Sequence, residues 1–511
     1  MLTRLRTLHA HHVALGGFAA ALAAALAATA AAAGVPTYST IELEARTDFF
    51  TAFNLPPGSS FNSGTPTIND AGTVAFRLIV VGTTGNAGLW VGGHGVGSVV
   101  YDAPAGPIIT DPSINALGEV AFEQADFGLS DGVFLYDPVA GSASQVITAG
   151  GVFGIDSFGT PVVNDLGVIG FRADQGATNA YFFDDGGVQT PVAFEGGGGV
   201  GFLFVPQFNN ATQFAAKVRL GGTANNLPDQ IRRYEPNGTF TVIAEDRDSN
   251  ALSPYTGFSN GVGFSHGGLV AFTAQLVGGE GVFVSDGVTT VEIATTNDAE
   301  VSAVDFFRPV VNDDGVCAFR AFDAAGLRVI YAGDGTTLRR VVGEHDLVPT
   351  DLGTARIDQH DSSPVFGGSV GINASSDVVF AATLTPPADN QVEWGTGVFV
   401  AYADASVGAP VALPAAGLAL APPRPNPSAG SSTMEFTVAR TGPVRLEIHD
   451  VLGRRVRVLV DEERSAGTHS VAWDGRADDG TRIATGTYFG RLRAAGGEAV
   501  RRIVRAPRAS D

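Results

Sequence analysis

Apolar residues fall at alternate positions in short runs along most of the chain, punctuated by Gly, Asn and Asp, and nothing in the pattern looks helical. One run, Pro66 to Phe76, reads Pro-Thr-Ile-Asn69-Asp70-Ala-Gly72-Thr-Val-Ala-Phe76. It returns cleanly around Asn115, Asn164 and Asn312, and in degraded form around Asn209, Ser265 and Asn373. Thr212 and Ser376 replace the Gly in two degraded copies, and Ser265 replaces the Asn in the third. The seven positions are 46, 49, 45, 56, 47 and 61 residues apart. Each copy predicts two short strands joined by a tight turn, in which Asn bonds its own backbone and Gly supplies a positive φ. This assigns the Asn and Gly to turn chemistry, not to ligand binding.

A second period-two run follows the motif, as at Gly88–Gly92, Gly132–Asp137, Gly281–Gly287 and Gly397–Val400, and a third closes several units, as at Phe240–Asp246 and Leu338–Asp346. A sheet of three or four antiparallel strands in about 50 residues matches a β-propeller blade. The seventh unit lacks its third run, whereas Ser39–Asp48 looks like a third run with no motif before it. The N-terminal strand is therefore expected to complete the last blade and close a seven-bladed ring, since closure removes exposed sheet edges. An open β-solenoid is the alternative.

Arg4 and Arg6 precede an uncharged Ala-rich run from Val13 to about Ala33, with small residues before Gly34, so residues 1–34 read as an export signal. An uncleaved anchor fits the same run. Among 511 residues, 67 are Gly and the net charge is −21, which disfavours nucleic acid and anionic membrane surfaces as partners. Cys317 is the single cysteine, which excludes intrachain disulfides and multi-cysteine metal centres. The charge is uneven: from Ala421 onward 15 Arg oppose 11 acidic residues, a net of +4, leaving −25 before it.

The repeats over residues 38–402 resemble a bacterial family of exported tandem-repeat proteins named for the motif N-x-x-G-x-x-A-F, and Asp102–Gly106 and Glu344–Pro349 resemble the segment between its blades. The resemblance implies a surface or secreted repeat protein and carries no catalytic residue over. Residues 409–424 are rich in Ala and Pro and read as a linker between the repeat body, 35–408, and a tail, 425–511. The tail alternates strongly, as at Met434–Val438, Val444–Ile448 and His469–Trp473, which predicts a small β-sandwich. Pro425-Asn-Pro427, Asp450-Val-Leu-Gly453, Ala466-Gly467-Thr-His469 and Trp473-Asp474-Gly475 resemble the Ig-like domain of flagellar hook-capping proteins and the C-terminal sorting domains of type IX secretion cargo. The resemblance implies passage across the outer membrane by secretion machinery acting on 425–511. A plain Ig-like module without a sorting role fits the same residues.

The expected fold is thus all-β, a seven-bladed propeller followed by an Ig-like sandwich. Candidate chemistry is sparse. His345, Asp346, Asp351, Asp358, His360 and Asp361 form the densest His/Asp cluster and fall in the longest gap between motifs. His345, Asp358, His360 and Asp361 could hold a divalent metal or do acid–base work, although an enlarged loop accounts for most of the cluster. Gly257-Phe-Ser259-Asn-Gly261 matches the serine-nucleophile pattern but lacks the strand-to-helix turn that pattern needs. Asp474, Asp478 and Asp479 read as turns, and Cys317 as a small core residue. No catalytic residue, cofactor or firm metal ligand is therefore expected. The expected function is a non-catalytic binding or adhesion scaffold, secreted or on the cell surface, with an extracellular glycan or surface protein as partner. The alternative is a polysaccharide-acting hydrolase or lyase working from the propeller channel.

Overall fold

The structure, a computed structural model, describes residues 34–505 apart from 49–50, 62–63, 127–128, 152, 177, 361–362, 405–418, 421–422, 424–427, 429, 439–441, 451–453, 466 and 495–496. The predicted export segment, but for Gly34, lies outside the described residues, as does Asp361. No described helix is long and apolar enough to cross a membrane.

Seven antiparallel sheets follow one another along the chain, and each of the first six is built from consecutive strands. The first blade holds Thr67–Ile68, Val74–Leu78, Gly88–Gly93 and Val96–Asp102. The following blades centre on Val120–Asp126, Ile169–Asp174, Phe214–Leu220, Val270–Leu276 and Cys317–Phe322. The seventh contains Phe366–Ile372, Val378–Thr385 and Thr396–Tyr402, and its outer strand is Thr40–Arg46 from the other end of the chain. The register runs antiparallel from Thr40 opposite Tyr402 to Arg46 opposite Gly397, with a bulge between Leu43 and Ala45. The chain thus forms the closed seven-bladed ring, not the open solenoid, because the surplus N-terminal strand supplies the edge that the last blade lacks.

Strand composition follows from this stacking. Each blade presents both faces to neighbouring blades, so its inner strands are largely buried on both faces instead of alternating; every residue of Val378–Thr385 is buried. One hydrophobic cluster joins Val316, Ile330 and Val342 of the sixth blade to Phe380 and Phe399 of the seventh. Within blades, the motif Phe faces an aromatic residue on the next strand: Phe76 opposite Trp90, Phe122 opposite Phe134, Phe272 opposite Phe283 and Phe380 opposite Phe399. Ring centroids lie 4.8 Å apart in the first of these pairs and 5.5 Å in the last. Such pairs contribute about 0.5–1.5 kcal/mol each beyond burial. The fourth blade has Ala216 opposite Arg232 instead, and this guanidinium lies 4.1 Å from the Phe240 ring.

The longest gap folds as an added hairpin, Leu347–Thr350 with Gly353–Ile357, which joins the seventh blade through Arg356 opposite Thr385 and Ile357 opposite Leu384. The tail forms the expected Ig-like sandwich. Ala419–Leu420, Ser432–Val438 and Gly467–Trp473 make one sheet, and Arg455–Arg464, Gly442–Asp450, Gly486–Ala494 and Gly497–Arg505 make the other. Met434, Phe436, Leu446, Ile448, Trp473 and Ile503 fill its core. Ala419–Leu420 comes from within the Ala/Pro-rich stretch and pairs with Phe436 and Thr437.

Candidate functional site

The two ends of the ring differ in construction. In a four-stranded antiparallel blade the first and third turns lie at one end, and the second turn and the link to the next blade lie at the other. The motif turns therefore gather at the first end. In the first four, the Asn carboxamide oxygen accepts two backbone N–H groups of its own turn, as Asn69 does from Ala71 at 3.1 Å and Thr73 at 2.9 Å; Asn312 and Asn373 each accept the second of these, from Val316 at 3.0 Å and Asp377 at 2.9 Å. The Gly position is left-handed in every copy, including Thr212 at φ 60 and Ser376 at φ 69.

The turn assignment is thus right, but it covers half of the side chain. The amide nitrogen donates to the backbone carbonyl of the equivalent Asn one blade on: Asn69 to Asn115 at 2.9 Å, Asn115 to Asn164 at 3.0 Å and Asn164 to Asn209 at 3.1 Å. The belt continues from Asn312 to Asn373 and from Asn373 back to Asn69, both at 3.2 Å. It is interrupted at Ser265, where Asn209 reaches the His266 carbonyl at 3.4 Å. The next residue adds a second set of bonds in the same donor-to-acceptor sense, its carboxylate reaching back to the preceding blade, with Asp70 accepting from Ala374 N at 2.8 Å and Asp165 from Ala116 N at 2.7 Å. Asp70, Asp165, His266 and Asp313 line an axial cavity of about 120 Å³ at this end. Each of these residues occupies the same repeat position, one after the Asn.

The residue after the motif Phe makes a further inter-blade contact. Arg77 donates to Ile109 O, Arg172 to Leu203 O, Lys217 to Phe258 O and Arg320 to Phe366 O, at 3.4, 3.1, 3.0 and 3.1 Å, while Glu123 accepts from Phe158 N at 2.9 Å. Burial raises the Glu123 carboxyl above its ordinary range, offset in part by the Phe158 N–H.

The opposite end brings two of the described His/Asp candidates together, His345 and Asp358, and engages His360, Asp346 and Asp351 elsewhere. His345 Nε2 lies 3.7 Å from Asp358 Oδ1, and the donor atoms of Glu344, His345 and Asp358 lie within 4.8 Å of one another. This set could accept a divalent cation through two carboxylates and an imidazole. Asp358 is buried and faces Arg356 at 3.0 Å, which balances its charge. Glu344 accepts the Arg328 N–H at 3.0 Å. His360 is carried away to Glu393, 3.1 Å from Nδ1, and to the Gln391 carbonyl, 3.1 Å from Nε2. Asp351 pairs two-pronged with Arg46 at 2.8 and 2.9 Å, and Asp346 accepts from Gly343 N at 2.8 Å. Ser259 lies within the strand Tyr255–Phe264, without the sharp turn a nucleophile requires. Cys317 is fully buried, and that burial pushes its thiol pKa up.

A larger cavity of about 410 Å³ lies among the fifth, sixth and seventh blades, lined by Glu280, Asp305, Phe306, Phe307 and Arg320 among others. Sequence reasoning misses it, because Phe306 and Phe307 interrupt an inner strand between Val304 and Val310 and read only as apolar residues. The break itself is no signal, because the first strand is divided in the same way in the second blade, at Ile108–Ile109 and Ser113–Ile114, and in the fourth, at Val200–Leu203 and Gln207–Phe208.

The FlgD Ig-like domain family matches residues 426–498. No curated protein matches the chain. Among solved structures, the chain is similar to PorZ of Porphyromonas gingivalis, described as a surface component of the type-IX secretion system, with 12% identity and a TM-score of 0.40 over 89% of this chain and 61% of PorZ. It is also similar to an oligogalacturonate lyase in complex with manganese, with 11% identity and a TM-score of 0.48 over 72% of this chain and 98% of that one. A fucose-specific lectin from Aleuria aurantia matches with 12% identity and a TM-score of 0.33 over 56% and 96%.

Proposed function

We propose that the chain is a secreted or cell-surface repeat protein whose closed propeller serves as a binding scaffold and whose C-terminal domain, 425–511, delivers or anchors it. The match of 426–498 to an Ig-like domain known from hook-capping proteins is the observation that carries the reading. The export-like residues 1–34 and the resemblance of the motifs to exported tandem-repeat proteins agree with it. The axial mouth agrees as well, since its carboxylates stand at repeat positions and accept backbone N–H groups of neighbouring blades. A catalytic mouth would call for non-repeating acids or histidines converging on one point.

Expression in the native host of a chain lacking 425–511 tests delivery. Loss from the surface and the medium, with accumulation inside the envelope, is the expected result; normal surface delivery would defeat the reading. A polysaccharide-acting hydrolase or lyase is the second reading, favoured by the approach of His345 to Asp358. Glycan cleavage by the purified protein that disappears in a combined His345→Ala, Asp358→Asn and His360→Ala variant would establish it.

A further inference from the structure

The 410 Å³ cavity has an unusual floor and rim. Phe306 is 77% exposed although it stacks on Phe307, with centroids 4.4 Å apart and planes at 27°. Phe307 lies in turn 4.0 Å from the Arg320 guanidinium, so guanidinium and two rings form one pile whose outermost face is bare. Arg320 is 5% exposed and held rigidly: it bonds Asp305 Oδ2 at 2.7 Å, Phe366 O at 3.1 Å and Gly368 O at 2.5 Å. Its remaining nitrogen, Nε, is sealed from solvent and has no hydrogen-bond partner among the described residues, so this guanidinium serves the cavity as a fixed support for the ring stack.

The charges at the cavity cancel, with Arg320 and Arg328 against Asp305 and Glu280. A charged ligand would have to compete with pairs already made, while a neutral one would not. Glu280 and Asp305 offer acceptors, Arg328 offers donors, and Gln275 and Ser259 offer both. Hydroxyl groups suit such a mixed rim because each can donate and accept, and an apolar ring face suits Phe306.

We propose that this cavity is a binding site for a neutral sugar ring of an extracellular glycan, seated on Phe306 with its hydroxyls directed to Arg328, Glu280 and Gln275. The proposal rests on the scaffold reading above and gives it a ligand class and a location. An aromatic side chain of a peptide could also stack on Phe306, but it would leave the polar rim unmatched.

Calorimetric titration of the purified full chain with cellopentaose, maltopentaose and mannopentaose, and with a Phe-containing pentapeptide, tests it in the wild type, Phe306→Ala and Phe306→Trp. At least one pentasaccharide is expected to bind. Phe306→Ala should weaken that binding about tenfold or more, as loss of an aromatic anchor does, and Phe306→Trp should retain it. The exposed position predicts equal unfolding midpoints for all three proteins, so a lost affinity would not reflect a lost fold. Sugar affinity unchanged in Phe306→Ala would overturn the site, and binding of the peptide alone or of no sugar would overturn the ligand class. The delivery experiment on 425–511 is independent, so a surface-delivered protein that binds no sugar would leave the scaffold reading standing without this site.

Discussion

Asn373 in the last blade donates its side-chain amide to the backbone carbonyl of Asn69 in the first, at 3.2 Å across 304 residues of sequence. The bond closes a belt of buried amides whose remaining members join blades about 50 residues apart, and Ser265 interrupts it. A serine hydroxyl still accepts the Leu269 N–H at 3.1 Å, so the turn survives, but it is too short to reach the next blade.

Ser265→Asn is therefore expected to complete the belt by donating to the Asn312 carbonyl. One added hydrogen bond contributes about 1 kcal/mol. A rise of a few degrees in the thermal midpoint of the full chain is the outcome to look for; an unchanged or lower midpoint would show that the fifth blade is spaced differently from its neighbours. Asn312→Ala is the converse. It removes the acceptor of Val316 N and the donor to Asn373 O and Ser376 Oγ, and buried groups left unpaired cost about 1–3 kcal/mol each.

The left-handed turn positions give a second contrast. Thr212 and Ser376 sit at φ 60 and 69, where a β-carbon costs roughly 1–2 kcal/mol. Thr212→Gly should stabilise the protein by about 1 kcal/mol after the extra chain entropy of glycine is counted. Ser376→Gly should gain less, because Ser376 Oγ accepts from Asn312 Nδ2 at 2.9 Å. Chemical denaturation midpoints of the two variants would rank them, and a larger gain at 376 would contradict the shared belt.

The turns and the ring closure were legible in sequence because they are local or countable. Asn-x-x-Gly specifies its own turn, and a surplus strand at one end matches a deficit at the other. The amide nitrogen of each Asn was not legible, since its partner lies a whole blade away and no local spacing encodes it. The contact after the motif Phe left a trace, with Arg77, Glu123, Arg172, Lys217 and Arg320 interrupting apolar strands at one position. The His/Asp cluster was legible as a density of residues but not as a site. Asp358 N bonds Thr383 O at 3.1 Å as the chain leaves the added hairpin, and the following residues turn His360 toward Gln391 and Glu393.

The closing strand depends on one buried cation. Arg46 is fully buried, donates to Trp394 O at 2.7 Å and pairs with Asp351 of the added hairpin, so it ties the N-terminal strand to that hairpin and to the connection between Val378–Thr385 and Thr396–Tyr402. Arg46→Met should cost roughly 3–5 kcal/mol, because Asp351 and several carbonyls lose their donor. Hydrogen exchange should then accelerate first in Thr396–Tyr402, the strand it uncovers. Uniform acceleration over all blades would argue that the ring opens only on global unfolding.

Glu123 provides a test by pH. Its pKa is raised from the ordinary 4.5, chiefly by burial, so the native state holds this proton more tightly than the unfolded chain does. The sign follows from linkage: the native state is favoured below 4.5, where both states are protonated, and this advantage is lost as pH rises toward the elevated native value. Glu123→Gln keeps a carbonyl oxygen to accept the Phe158 N–H and removes the charge that burial penalises. The variant should be more stable than the parent at pH 7, with the difference shrinking on acidification and vanishing below about 4.5. Paired denaturation curves across that range would decide it. A variant less stable at pH 7 would mean that the ionised carboxylate, through its stronger bond to the third blade, is the form the ring requires.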